Sequence, residues 1–98
     1  MSDKDLIPIT VELFGTSRLA SGLRQLEIRL PSEVTPHRLA ASLADACPAL
    51  VGHGISGSRD ALQDGYVLNL NGTAFLGQDV PVLKAGDSLL LLSNQAGG

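Results

Sequence analysis

The stretch Lys84-Ala85-Gly86-Asp87-Ser88-Leu89-Leu90-Leu91-Leu92-Ser93 decides the fold of this 98-residue chain. Its four consecutive leucines do not alternate with polar residues, so a strand built from them carries apolar side chains on both faces. Such a strand belongs inside a sheet, with neighbours paired on both sides. The segment before it, Lys84-Ala85-Gly86-Asp87, has the composition of a turn. After it no bulky or charged residue remains: the sequence runs Ser93-Asn94-Gln95-Ala96-Gly97-Gly98.

Working outward, Tyr66, Leu68 and Leu70 alternate with Val67 and Asn69 and predict a strand. Asn71-Gly72 follows as a turn signal, because both residues tolerate positive φ, and Thr73–Leu76 predicts a short edge strand. Near the start, Ile7, Ile9, Val11 and Leu13 share one side of a strand against Pro8, Thr10, Glu12 and Phe14. Pro8 is tolerated close to the strand's beginning. Gly15-Thr16-Ser17 and Ser21-Gly22 break the pattern and are expected to bracket a loop. A second alternation, with Leu26, Ile28 and Leu30 facing in, predicts an antiparallel partner for the first strand.

Thr35-Pro36 predicts a helix start, with Thr35 capping free amides and Pro36 at the tolerated first position. Leu39, Ala40, Leu43, Ala44 and Cys47 form one apolar helical stripe, with His37, Arg38, Ser42 and Asp45 turned away. Pro48 stops the helix at Cys47, after about eleven residues, near the globular average. The stretch 52–65 holds four glycines among polar residues and is expected to be a solvated, mobile connection. One helix covers one sheet face, and the leucine strand must be central. These constraints predict an α+β, β-grasp architecture, a mixed sheet of four to five strands around one main helix. Residues 1–93 would form the domain and 94–98 a flexible diglycine tail. One sheet face then lacks its own cover and leaves either Leu89 and Leu91 or Leu90 and Leu92 near solvent unless a partner docks.

Composition removes several function classes. The chain is 44% hydrophobic with three aromatic residues, eighteen leucines and eleven glycines, an aliphatic core cut by turns. It is too short for a nucleotide-binding domain plus a substrate domain. Seven basic against ten acidic residues give a net charge of -3, and no two basic residues adjoin. Neither a nucleic-acid backbone nor an anionic membrane is therefore an expected partner. Cys47 is the lone cysteine, which excludes an internal disulfide and is read as a small core residue. The N-terminus lacks the basic and apolar regions of a secretory signal, and no apolar run approaches the ~20 residues of a membrane span, so a cytoplasmic location is expected.

Candidates for catalysis within the chain are few. His37 falls on the polar side of the first helical turn and His53 between two glycines of the 52–65 stretch. No ligand pair has helical or hairpin spacing for a metal. Asp60, Asp64 and Asp79 show no pairing pattern, and Ser56-Gly57-Ser58 lacks the lysine and following helix of a phosphate cradle. The C-terminus differs in kind. Without Cβ atoms, Gly97 and Gly98 let the backbone pass close to a channel wall. Asn94 to Gly98 extends roughly 17 Å at ~3.4 Å per residue. The α-carboxylate of Gly98 is ionised at neutral pH and can attack the α-phosphorus of ATP in another enzyme's site. The resulting acyl phosphate anhydride is open to a sulfur or nitrogen nucleophile, which makes the protein a substrate rather than a catalyst.

Several short motifs, taken in order, resemble the MoaD/ThiS family of ubiquitin-like sulfur carrier proteins. They are Val11-Glu12-Leu13-Phe14-Gly15 with Arg18-Leu19, Glu33-Val34-Thr35 at the helix start, and Cys47-Pro48-Ala49-Leu50. Leu70-Asn71-Gly72, Leu83-Lys84-Ala85-Gly86-Asp87 and the closing Ala96-Gly97-Gly98 complete the set. The resemblance implies that an E1-like enzyme adenylates Gly98 with ATP and that a sulfur donor such as a sulfurtransferase converts it to a thiocarboxylate. An acceptor synthase or large subunit then takes the sulfur, and no cofactor is held by the chain itself. Gly97 becomes the slender neighbour of the reacting carboxylate. Phe14 and Arg18 match the family's first loop, near the root of the tail, and with Leu90, Leu92 and Ala96 are the expected partner contacts.

The polar Ser93-Asn94-Gln95 departs from the proline and aliphatic residue common in molybdopterin-type members. That leaves thiamine, cysteine or a specialised sulfur metabolite beside a molybdopterin-type cofactor as destinations. Two other readings stand beside sulfur carriage: a protein modifier conjugated through Gly98, and a non-catalytic interaction module using the uncovered leucine face.

Overall fold

A computed structural model of the chain describes residues 6–93; Ala96, Gly97 and Gly98 lie outside the described residues. The elements are β1 (Leu6–Leu13), α1 (Gly15–Ser21), β2 (Gln25–Pro31) and α2 (Pro36–Ala46). After a 3-10 turn at Pro48–Leu50 come β3 (Tyr66–Leu70), β4 (Ala74–Phe75) and β5 (Ser88–Ser93). The sheet order is β2-β1-β5-β3-β4, so the leucine strand is central. β5 runs parallel to β1 and antiparallel to β3, while β1–β2 and β3–β4 are antiparallel.

Alternation assigns the two faces as expected. Ile9, Val11, Leu13, Ile28, Leu30, Leu68, Leu89 and Leu91 are buried and meet Leu39, Ala40, Leu43, Ala44 and Cys47 of α2. Leu90 and Leu92 take the opposite face and are half-buried. The helix begins as its sequence predicts: Thr35 Oγ1 accepts from the Arg38 N–H at 3.1 Å, and Pro36 is the first helical residue. It ends at Ala46, where the Cys47 N–H closes on Leu43 O. Asn71 (φ 56°) and Gly72 (φ 75°) make the β3–β4 turn.

Two expectations are corrected. The segment after β1 is a seven-residue helix rather than a loop. Gly22, in left-handed conformation, supplies its C-cap by donating to Arg18 O, and buried Ser17 donates through Oγ to Phe14 O. The Ser21-Gly22 break thus marks a helix end. The 52–65 stretch is solvated over much of its length, as at 57–60, but it is anchored to the core rather than a free connection. Ile55 is fully buried and bridges Val51 and Leu62, and Gly54 and Gln63 exchange hydrogen bonds. Further on, Asp60 O is held by His37 Nδ1 at the start of α2, while Arg59 donates to Ala44 O and Asp45 Oδ1 near its end. Gly54 has to be glycine: at φ 132° an added Cβ would stand 3.0 Å from Leu91 Cδ2.

Candidate functional site at the end of the central strand

Parallel pairing sends β1 and β5 toward the same end of the sheet. Leu13 stands opposite Leu91, so Phe14 falls level with Leu92. Ser93, the last described residue, pairs with Tyr66 at the start of β3. The end of β5 therefore lies between the entry to α1 on one side and Tyr66 on the other.

Short contacts fix α1 over this end. Arg18 Nε donates to Leu13 O at 3.0 Å, which brings the guanidinium carbon to 5.4 Å from the Phe14 ring centroid. Cation and ring attract electrostatically at that range. The Thr16 hydroxyl hydrogen-bonds the Tyr66 hydroxyl, tying α1 to β3 across the position of Ser93. Arg18 thus lies against Phe14, which continues β1 at the level of Leu92. Leu90 lies two residues back along β5 on the same face. Thr16 and Tyr66 carry no motif; only the three-dimensional pairing connects them.

The face away from α2 extends the site. Strand registers place Gln25, Glu12, Leu90, Asn69 and Phe75 in one row across all five strands, with Val67 beside Leu92 in the next. Phe75 is 68% exposed on the two-residue edge strand. Asn69 is 94% buried, its relative exposure being 6%, and its Oδ1 has no hydrogen-bond partner among the described residues.

At the other end of β5 a polar turn starts the strand. The Asp87 carboxylate accepts from the Lys84 N–H at 2.8 Å and from Asn71 Nδ2 at 3.1 Å. Those bonds favour the charged form, the backbone one most, and hold its pKa below the ordinary value. Asn71 Oδ1 in turn accepts from the Ser88 N–H.

The remaining sequence candidates are dispersed. His37 is exposed but engaged through Nδ1 with the Asp60 carbonyl, and His53 is exposed on the 52–65 segment. No cluster of three or more His, Cys, Asp or Glu residues suited to a metal occurs among the described residues. Among them, no helix is long and apolar enough to cross a membrane. Cys47 is a buried free thiol in the core, as expected.

A mixed five-stranded sheet wrapped on one main helix, with parallel first and last strands, defines the ubiquitin-like β-grasp fold. Solved structures bear this out. The chain is similar to SAMP1 from Haloferax volcanii, at 23% identity and a TM-score of 0.74 over 93% of this chain and 99% of that one. Small archaeal modifier protein 1 from Methanosarcina acetivorans matches at 25% identity and 0.67, covering 95% and 98%. A protein named as molybdopterin converting factor, subunit 1, from Pyrococcus furiosus matches at 22% and 0.60, covering 89% and 97%. No protein-family model and no curated protein matches the chain. The fold that the MoaD/ThiS resemblance implied is the fold found.

Proposed function

We propose that the chain is a ubiquitin-like sulfur carrier whose Gly98 carboxylate is the reactive group. The carboxylate attacks the α-phosphorus of ATP in an E1-like enzyme, pyrophosphate leaves, and sulfide delivered by the donor, as hydrosulfide or by thiol reduction of an acyl disulfide formed with a donor persulfide, replaces AMP to give a thiocarboxylate. Catalytic residues belong to the partners, and ATP is consumed by the activating enzyme rather than held by this chain. The observation that carries the reading is the parallel β1–β5 pair. It sets the end of β5 between Phe14, with Arg18 over its ring, and Tyr66 of β3, on a sheet whose half-buried face bears Leu90 and Leu92. A five-residue segment starting there has a reach of roughly 17 Å, enough to enter a neighbouring active site while the sheet face docks. Similarity to a protein named for molybdopterin conversion supports a molybdopterin-type acceptor.

Intact-mass measurement tests this. After incubation with an E1-like enzyme, ATP and a sulfur donor, the chain should gain the mass of one oxygen exchanged for sulfur, and deletion of Gly98 should abolish the gain. An unchanged mass with an otherwise active enzyme overturns it.

A second reading has its own support, since two of the similar structures are archaeal modifier proteins. Conjugation through Gly98 to lysines of other proteins would show as a ladder of larger species that disappears on Gly98 deletion. Both readings begin with adenylation.

A further inference from the structure

We propose that Asn69 is the polar key of the docking face, recognised by a cationic hydrogen-bond donor, an arginine or lysine side chain, on the activating enzyme. The inference rests on the carrier reading above and specifies how that partner is chosen.

Position 69 is a poor place for asparagine on grounds of stability alone. It lies within a strand, where asparagine is disfavoured, on a row with Leu90 and Phe75 and near Val67 and Leu92. Its Oδ1 is buried with no partner among the described residues. A buried acceptor left unpaired is penalised, whereas an apolar side chain of similar size would not be. Such groups are rare in folded proteins and call for a specific explanation. A hydrogen bond made only in a complex supplies one. The amide torsion is broad and two-fold, so the amide can turn about χ2 toward an arriving donor.

The surroundings identify the donor's charge. Glu12 occupies the same row on β1, with Leu90 of β5 between it and Asn69. Two strand spacings separate them, roughly 10 Å. A guanidinium or ammonium seated over Leu90 meets the amide oxygen on one side and the carboxylate on the other. Glu27, opposite Thr10 on the same face, adds to the negative potential, and the chain is acidic overall; Arg29 on β2 and Arg18 over Phe14 bound this acidic stretch on either side. A polar contact enclosed by Leu90, Leu92 and Phe75 discriminates strongly, because a partner lacking the donor leaves the amide unpaired in a dry interface.

ATP–pyrophosphate exchange by the E1-like enzyme of the same organism, followed against carrier concentration, tests the assignment. Asn69→Leu should raise the carrier's KM about tenfold with kcat little changed, while the free protein melts a few degrees higher, about the shift expected when an unpaired buried acceptor is removed. Asn69→Asp, which keeps an acceptor, should recover most of the lost affinity. Glu12→Gln should raise KM and flatten its dependence on salt.

An unchanged KM in Asn69→Leu overturns the key while leaving sulfur carriage standing. Absence of exchange with the wild-type chain and an otherwise active enzyme overturns both. If the wild-type chain sediments as a dimer and Asn69→Leu as a monomer, the donor belongs to a second copy and the assignment to the enzyme fails.

Discussion

Gly54 and Leu91 are locked together: the glycine backbone runs so close to the central strand that a Cβ would stand 3.0 Å from Leu91 Cδ2. Gly54 and Ile55 of the 52–65 segment are therefore part of the core, pressed onto β5 from the α2 side. Gly54→Ala meets both the close approach and the φ of 132°, a conformation that L-residues rarely adopt. A loss of about 1–3 kcal/mol is expected, measured as a lower urea midpoint with an unchanged m-value.

Leu91 is fully buried and stands opposite Leu13 and Leu68 in the neighbouring strands. Leu91→Ala should cost about 2–5 kcal/mol, since transfer and cavity contributions add. Leu90→Ala, one residue along on the half-buried face, should cost much less. Equal losses in denaturant titrations would contradict the assignment of faces.

Removal of the helix cap is a smaller, cleaner change. Thr35→Ala deletes the acceptor for the Arg38 N–H and should lower stability by about 1 kcal/mol, while Thr35→Ser keeps it. Thermal melts of the two variants side by side give the comparison.

Asp87 gives stability a defined dependence on pH. Its folded pKa lies below the ordinary aspartate value, with the backbone bond from Lys84 the largest cause. The charged carboxylate therefore contributes fully above the unfolded value, and the contribution fades as pH falls through the lowered folded value. Asp87→Asn should be less stable than wild type at pH 7, and the gap should narrow as unfolding is repeated toward acid pH.

Arg18 connects the domain to its proposed chemistry. Arg18→Lys keeps the charge but loses the Nε donor to Leu13 O and the planar group over Phe14. Stability should fall by about 1 kcal/mol or less, whereas activation by the E1-like enzyme should drop about as far as in Arg18→Ala. Lysine behaving as wild type in the exchange assay would mean that charge alone matters at this position.

Where one face of an element meets the core, sequence periodicity was sufficient. β1, β2 and α2 lie where alternation and the leucine stripe put them, and Thr35, Pro36 and Asn71-Gly72 act as their chemistry dictates. α1 escaped because seven residues hold too few turns to display a period, and because a capping Ser-Gly looks like any loop boundary. The packing of the 52–65 segment escaped because its burial depends on single residues, Ile55 above all, scattered among glycines and serines. Phe14, Arg18, Leu90 and Leu92 were legible through motif resemblance and strand alternation. Tyr66, Thr16 and Asn69 were not, because their placement arises from cross-strand register between segments some fifty residues or more from β1 and α1.

The place of β5 in the sheet also has a consequence during synthesis. β5 follows the other strands in the chain, and among the described residues it alone joins the β1–β2 half of the sheet to the β3–β4 half. A ribosome that stalls before Ser88 releases a chain whose two half-sheets have no common neighbour. Such a fragment should stay open to chaperones and proteases. Chain length past Ser88 and acquisition of structure are thus coupled: a product cut short before β5 is denied the joined sheet on which the face bearing Leu90 and Leu92 depends.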